Sequence, residues 1–371
     1  MANIFDYLKW RGDLTFSQDP PNGVDALIFS GLSYIQFGRE TEQDPESPVS
    51  LKAAAEAFFS RDGYEARCRI QKDLDLLRSA AATRRFGQTR LSMYRDLLIP
   101  EQETQFAAMT FLLDDGSLVL AFRGTDNSLV GWKEDFNMTF QQTIPAQRLA
   151  MQYTRDVALE HPGPMRLCGH SKGGNLAVFA GARSSPMIQQ RILEVFNNDG
   201  PGFTQYLMGD PGYVAMVPKI RTFIPQSSVI GMLLEHEEPY TVIRSKTIGL
   251  LQHDLYTWDV LGKAFIPVQE ITESSQFVDA TMKTWFANMT NQEREQLVDV
   301  MFALLGSGGA DNVYDLLHPR SIRTYIKTLS SDEHLRRVLS TEFTGLLEAA
   351  RKTKARFDEN REAQLLEEAE E

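Results

Sequence analysis

The sequence predicts an α/β protein with a mostly parallel central sheet flanked by helices and with helical additions at both ends. Three observations carry that prediction. Strand-length apolar runs alternate with helix-spaced segments through the middle of the chain, as in βαβ units. One run leads directly into Gly169-His-Ser-Lys-Gly173, a Gly-x-Ser-x-Gly sequence of the type found where a strand turns sharply into a helix. The chain has 371 residues, 42% of them hydrophobic and 24% charged, enough for one large core in a chain of ordinary globular composition.

Residues 1–98 read as a helical lead-in packed on the core, with helical spacing in Ala26–Phe37 and Leu51–Phe59 and a turn-rich stretch at Ser17–Gly23. The core is expected over 99–278. It opens with two strands, Phe106–Leu113 and Ser117–Phe122, joined by the hairpin-like Asp114-Asp-Gly116. A helix over Pro145–His161 and a strand at Met165–Cys168 precede the serine. After it come a helix at Asn175–Ala182 and strands at Ile192–Asn197, Lys219–Ile224 and Tyr240–Arg244. Residues 279–371 read as a helical region ending in an acidic tail, Ala355–Glu371, expected as a solvated helix or frayed end.

A net charge of −12 opposes capture by nucleic acid or anionic membranes, which need clustered Lys and Arg. Cys68 and Cys168 suggest neither a disulfide framework nor a zinc site, and Cys168, inside an apolar run, reads as packing. No window has the apolar length of a spanning helix, and the start lacks a signal-peptide pattern, so a cytoplasmic location is expected. No phosphate loop or paired-histidine metal motif is present; no cofactor and no metal are expected.

In the Gly-x-Ser-x-Gly segment the glycines admit close backbone approach, so Ser171 is expected at the carboxyl end of the sheet as a nucleophile, with the Lys172 backbone N–H facing a developing oxyanion. The Lys172 side chain is expected to point into water. The second oxyanion donor is expected at Thr125, in the loop Phe122-Arg-Gly-Thr-Asp126 that follows a strand.

These segments carry a resemblance. Phe122-Arg-Gly-Thr125, Trp132-Lys-Glu-Asp135 and Gly169–Gly174 resemble blocks of class 3 lipases, in which the residue after the Arg-Gly pair helps form the oxyanion hole. The chain is also similar to the Mbeg-like family, a bacterial group assigned to the α/β-hydrolase fold. That similarity runs through Asn3-Ile-Phe-Asp-Tyr7, Ala26–Phe37, the Arg-Gly-Thr and Gly-His-Ser blocks, Asn197-Asn-Asp-Gly-Pro-Gly-Phe203 and Gln252-His-Asp254. The resemblance implies a serine hydrolase of the α/β-hydrolase fold.

A serine hydroxyl needs a base. Chain order in this fold, serine then acid then histidine, disfavours His161 and His170, and His318 and His334 fall in the helical C-terminal part. His253, on the loop after the last strand, is preferred to His236, which precedes that strand among three glutamates. For the acid, class 3 lipases carry an aspartate after the next strand, whereas Phe223–Ser228 here has no carboxylate. Asp199, one strand earlier, matches the placement in pancreatic-type lipases. Its bland alternative is to cap the Asp-Gly-Pro-Gly turn, and Asp254 and Glu235 are the substitutes. Trp132, Phe136 and Met138 could line a covering helix but read more simply as packing, and Asp135 reads as a cap or ion pair.

The expected activity is cleavage of a carboxylic ester, in a small-molecule or lipid substrate, through an acyl-enzyme. The alternatives are an acyltransferase or peptidase using the same serine, or a non-catalytic interaction protein that keeps the fold. The sequence does not set an oligomeric state.

Overall fold

The computed structural model describes residues 2–38, 48–309, 316 and 318–370. Two compact units emerge, Met1–Asp126 with Gln142–Glu270, and Asn127–Gln141 with Ile271–Glu371; Glu371, the end of the expected tail, lies outside the described residues.

The first unit begins with helices α1 (Ile4–Arg11) and α2 (Gly23–Leu32), strand β1 (Val49–Ser50), and helices α3 (Leu51–Phe59), α4 (Gln71–Ala81) and α5 (Arg84–Gly87). Asn3 and Asn22 start α1 and α2 through capping boxes closed by Asp6 and Asp25, which satisfy N–H groups that have no partner within the helix. Strands β2 (Arg90–Ile99), β3 (Thr104–Leu112) and β4 (Leu118–Phe122) follow. Between β3 and β4 the expected hairpin closes, with Gly116 at φ +81°.

The second unit takes up α6 (Leu129–Asn137), and the first unit resumes with α7 (Pro145–Glu160), β5 (Met165–His170), α8 (Lys172–Ala182), α9 (Pro186–Arg191) and β6 (Ile192–Asn198). Short helices α10 (Gln205–Met208) and α11 (Pro211–Met216) lead to β7 (Ile220–Pro225) and β8 (Tyr240–Ile243). A small hairpin of β9 (Val260–Leu261) and β10 (Ala264–Phe265) closes the unit.

Among the described residues the main sheet has eight strands in chain order, β1 to β8. The first pairs are antiparallel, and β4 to β8 are parallel throughout. Chain order has a consequence. Right-handed crossovers between neighbouring parallel strands place every crossover helix on the same face of the sheet, which leaves the other face to be covered from elsewhere. On the crossover face, Tyr153 of α7 packs against Phe106 and Phe122. On the opposite face, Met109, Phe111, Val119, Ala121, Cys168 and Phe196 form one core with Leu27, Ile28 and Phe29 of α2 and Leu74 and Leu77 of α4. The alternation of Val119 and Ala121 with Leu120 and Phe122 is the two-residue period of a strand buried on both sides. The lead-in is therefore the second helical layer of the sandwich. It is not purely helical, because it contributes β1 and β2 to the sheet.

The second unit holds α6 and, after residue 270, α12 (Glu273–Ala287), α13 (Asn291–Ser307), α14 (Pro319–Ser331) and α15 (Glu333–Glu370). Phe136 of α6 meets Phe302 of α13 with ring centroids 5.8 Å apart, and Lys133 pairs with Asp299 at 2.7 Å. Phe136 is thus packed within its own unit. Among the described residues no helix is long and apolar enough to cross a membrane.

Candidate active site

Strand β5 ends at His170 and α8 begins at Lys172, which leaves Ser171 as the single residue of the turn. Its backbone sits at φ +59°, ψ −136°, a region that costs a non-glycine residue of the order of 1–3 kcal/mol and persists only where its surroundings enforce it. The neighbouring backbone supplies that enforcement. A methyl group at Gly169 would lie 2.0 Å from the Gly173 carbonyl, and one at Gly173 would lie 2.1 Å from the Phe122 carbonyl oxygen. Only glycine lets β4, β5 and α8 approach this closely.

The Arg123–Asp126 loop reaches the same point. A methyl at Gly124 would come within 2.4 Å of the His170 carbonyl oxygen and 3.1 Å of Ser171 Cβ, so the backbone just before Thr125 lies against the serine. Arg123, almost fully buried, holds the loop through a bond to Asp96.

Asp199 follows β6 and His253 ends a short 3₁₀ turn, Gly249–His253, after β8. The two meet at 2.7 Å, His253 Nδ1 donating to Asp199 Oδ2. The Asp199 side chain is completely buried and the His253 side chain 25% exposed. The other carboxylate oxygen accepts a 2.5 Å bond from Ser228 Oγ, itself held by the Gly231 N–H. Asp199 does not cap its turn: Asn197 does, its side-chain oxygen accepting from the Gly200 N–H at 2.9 Å. Both carboxylate oxygens are thereby committed to side chains. Among the described residues no hydrogen bond joins the Ser171 hydroxyl to His253; the contact between the two loops runs through His170, whose ring lies 4.6 Å from that of His253.

The remaining candidates are engaged elsewhere. His236 bonds Glu238 and the Gly231 carbonyl, Asp254 pairs with Lys72 at 2.8 Å, Glu235 is exposed, and His161 meets Ser92. Glu238 is held below its usual range by bonds from His236, Tyr213 and Thr222 that outweigh the cost of its burial.

One expectation needs correction. The Lys172 side chain does not point into water: it is 1% exposed, and its Nζ donates to the backbone and side-chain oxygens of Gln105 on β3, at 3.0 and 2.8 Å. The reason is that α8 is buried along its whole length, so no face of its first turn meets solvent. Three contributors went unremarked in the sequence: Ser228, Gln252, which holds the His253 loop by accepting from the Ser227 N–H at 2.7 Å, and Tyr34, bonded to His170. Ser228 had a faint signal, a hydroxyl in the turn where the class 3 acid is missing. Tyr34 had none.

A serine at a strained strand-to-helix turn, with histidine and aspartate on loops after later parallel strands, defines the α/β-hydrolase fold. The chain belongs to the Mbeg1-like family, whose sequence model matches residues 80–303. A comparison with curated proteins finds no match. Among solved structures, the M37 lipase is 13% identical with a TM-score of 0.36, over 57% of this chain and 70% of that one. The Rhizomucor miehei lipase propeptide complex is 11% identical with a TM-score of 0.36, over 65% and 80%. A deletion mutant of that complex is 13% identical with a TM-score of 0.39, over 65% and 79%.

Proposed function

We propose that the protein is a serine hydrolase that cleaves carboxylic esters through an acyl-enzyme. The observation that carries this reading is the 2.7 Å bond between His253 and Asp199, residues 54 positions apart brought together beside the serine turn. A carboxylate on Nδ1 leaves Nε2 as the basic nitrogen and stabilises the imidazolium once a proton arrives. In the proposed reaction Ser171 attacks the acyl carbon as His253 Nε2 takes its hydroxyl proton. The tetrahedral oxyanion is met by the backbone N–H groups of Thr125 and Lys172. Collapse expels the alcohol, which receives the proton from His253. Water, deprotonated by the same histidine, then releases the acid and restores the serine.

The feature that favours a non-catalytic reading is the missing carboxylate after β7; the bond from His253 to Asp199, one strand earlier, supports the catalytic one. Substrates are expected among small-molecule or lipid esters. The test is fluorophosphonate labelling of the wild-type protein beside Ser171→Ala, followed by a panel of acyl esters of graded chain length. Labelling and turnover that vanish in the variant support the reading; a folded wild-type protein that neither labels nor hydrolyses any ester overturns it.

A further inference from the structure

Tyr34 lies just after α2, outside the segment matched by the family model and outside the catalytic motifs, yet several contacts converge on it. Its hydroxyl is 3.0 Å from His170 Nδ1. A methyl at Gly124 would lie 2.3 Å from that hydroxyl, so the tyrosine also abuts the loop that carries Thr125. The Arg69 guanidinium covers its ring at 4.0 Å. On the other side of the imidazole, His170 Nε2 is 2.7 Å from the His253 carbonyl oxygen. His170 is fully buried and Tyr34 is 2% exposed.

The proton positions follow from the partners. A carbonyl oxygen can only accept, so His170 Nε2 carries hydrogen and donates to His253. In a neutral imidazole Nδ1 is then bare, and the Tyr34 hydroxyl donates to it. Burial above all, and then the nearness of His253 and Arg69, keeps His170 well below the usual histidine range, in agreement with a neutral ring. In the opposite tautomer Nε2 would turn a lone pair on the carbonyl oxygen of His253 and drive that loop away.

We propose that Tyr34 and His170 are positioning residues of this site: Tyr34 anchors the His170 ring through Nδ1, and His170, in the Nε2–H tautomer that the His253 carbonyl requires, holds the His253 backbone against the serine turn. This rests on the assignment of Ser171 and His253 made above. It makes the lead-in layer part of the site, since its tyrosine sets the geometry of a loop more than 200 residues further along the chain.

The test uses the full chain with Tyr34→Phe, which keeps the ring and the Arg69 contact and removes only the hydroxyl. With a short acyl ester, kcat is expected to fall about tenfold, within the ~100-fold that a misplacement of about 1 Å costs, while KM stays within about twofold. Histidine-ring ¹⁵N spectra should show His170 remaining the Nε2–H tautomer while its Nδ1 resonance shifts to that of a nitrogen that accepts no hydrogen bond. His170→Phe should lower kcat at least as far, and adding Tyr34→Phe to it should cost nothing more, because the two act through one contact. Wild-type kcat in Tyr34→Phe, or an unchanged Nδ1 resonance, would overturn the proposal. An inert wild-type protein would instead refute the hydrolase reading, and the spectra would still decide whether Tyr34 donates to His170 Nδ1.

Discussion

At the scale of single residues, the site is organised by how each acceptor is shared out. Asp199 divides its oxygens between His253 and Ser228, and the nearby carboxylate best placed to substitute, Asp254, is committed to Lys72. Asp199→Asn should therefore lower kcat steeply, by up to ~10⁴-fold, since an amide presents the wrong pattern of donors to the imidazole. Ser228→Ala leaves the carboxylate in place and should cost only about tenfold, near the low end of the ~1.5–3 kcal/mol of one bond to a charged group. Steady-state kinetics on both variants checks the order. His170 gives a second prediction, in stability. Its folded value is depressed by burial, so below about pH 6.5 the unfolded chain takes up a proton that the folded chain does not. Stability should decline as pH falls through that point, and His170→Phe should remove this component of the slope in urea melts at pH 7 and pH 5. Ser171 and His253 stand out in the sequence as candidates because motif and chain order constrain them. Asp199 was legible only as one of three carboxylates, since its selection depends on a 2.7 Å contact across 54 residues.

At the scale of elements, the strand-to-helix turn works because three backbones share a space that side chains would fill. Gly173→Ala would set a methyl 2.1 Å from the Phe122 carbonyl oxygen; neither that backbone nor α8 can retreat without disturbing the sheet. A loss above about 3 kcal/mol in urea unfolding is expected, at the upper end for overpacking. Gly181→Ala in the same helix makes the control: its new methyl would meet Val195 Cγ2 at 3.3 Å and the flexible end of Met216 at 3.5 Å, and helix propensity favours alanine by about 1 kcal/mol. Stability should change there by no more than about 1 kcal/mol. A large loss at both positions, or at neither, would show that backbone crowding does not set the cost. Strands β3 and β4 were legible because they are buried on both faces and read as mostly apolar runs. Strand β2 was not, because its pairing shifts register between Ser92 and Arg95, Met93 stands at φ +53°, and its later residues are mostly exposed. Nothing in that run repeats with period two.

At the scale of the whole molecule, the chain-order sheet explains the lead-in: a one-sided set of crossovers leaves an apolar face that α2 and α4 cover. That architecture was half visible in the sequence, which showed helices before the core but not which face of the sheet needed them. The division into units was less visible, because residues 127–141 group with the C-terminal helices rather than with the strands on either side, a long-range association that local spacing does not encode. The two units also differ in how they are held together. The first encloses many fully buried aliphatic and aromatic side chains, Leu27, Phe29, Phe111, Leu167 and Trp258 among them. Among the described residues the second has few, and its best covered large residues, Val298, Leu335 and Met138, each keep a little exposure. Burial contributes roughly 25 cal/mol per Å² of apolar surface, so the second unit should unfold first. Single-tryptophan proteins retaining Trp258 in one unit or Trp285 in the other should give urea transitions that do not coincide, with the Trp285 midpoint lower, as expected where two-state behaviour fails. Superimposed transitions would mean that the chain unfolds as one cooperative body, with the helices of the second unit stabilised by more than their own core.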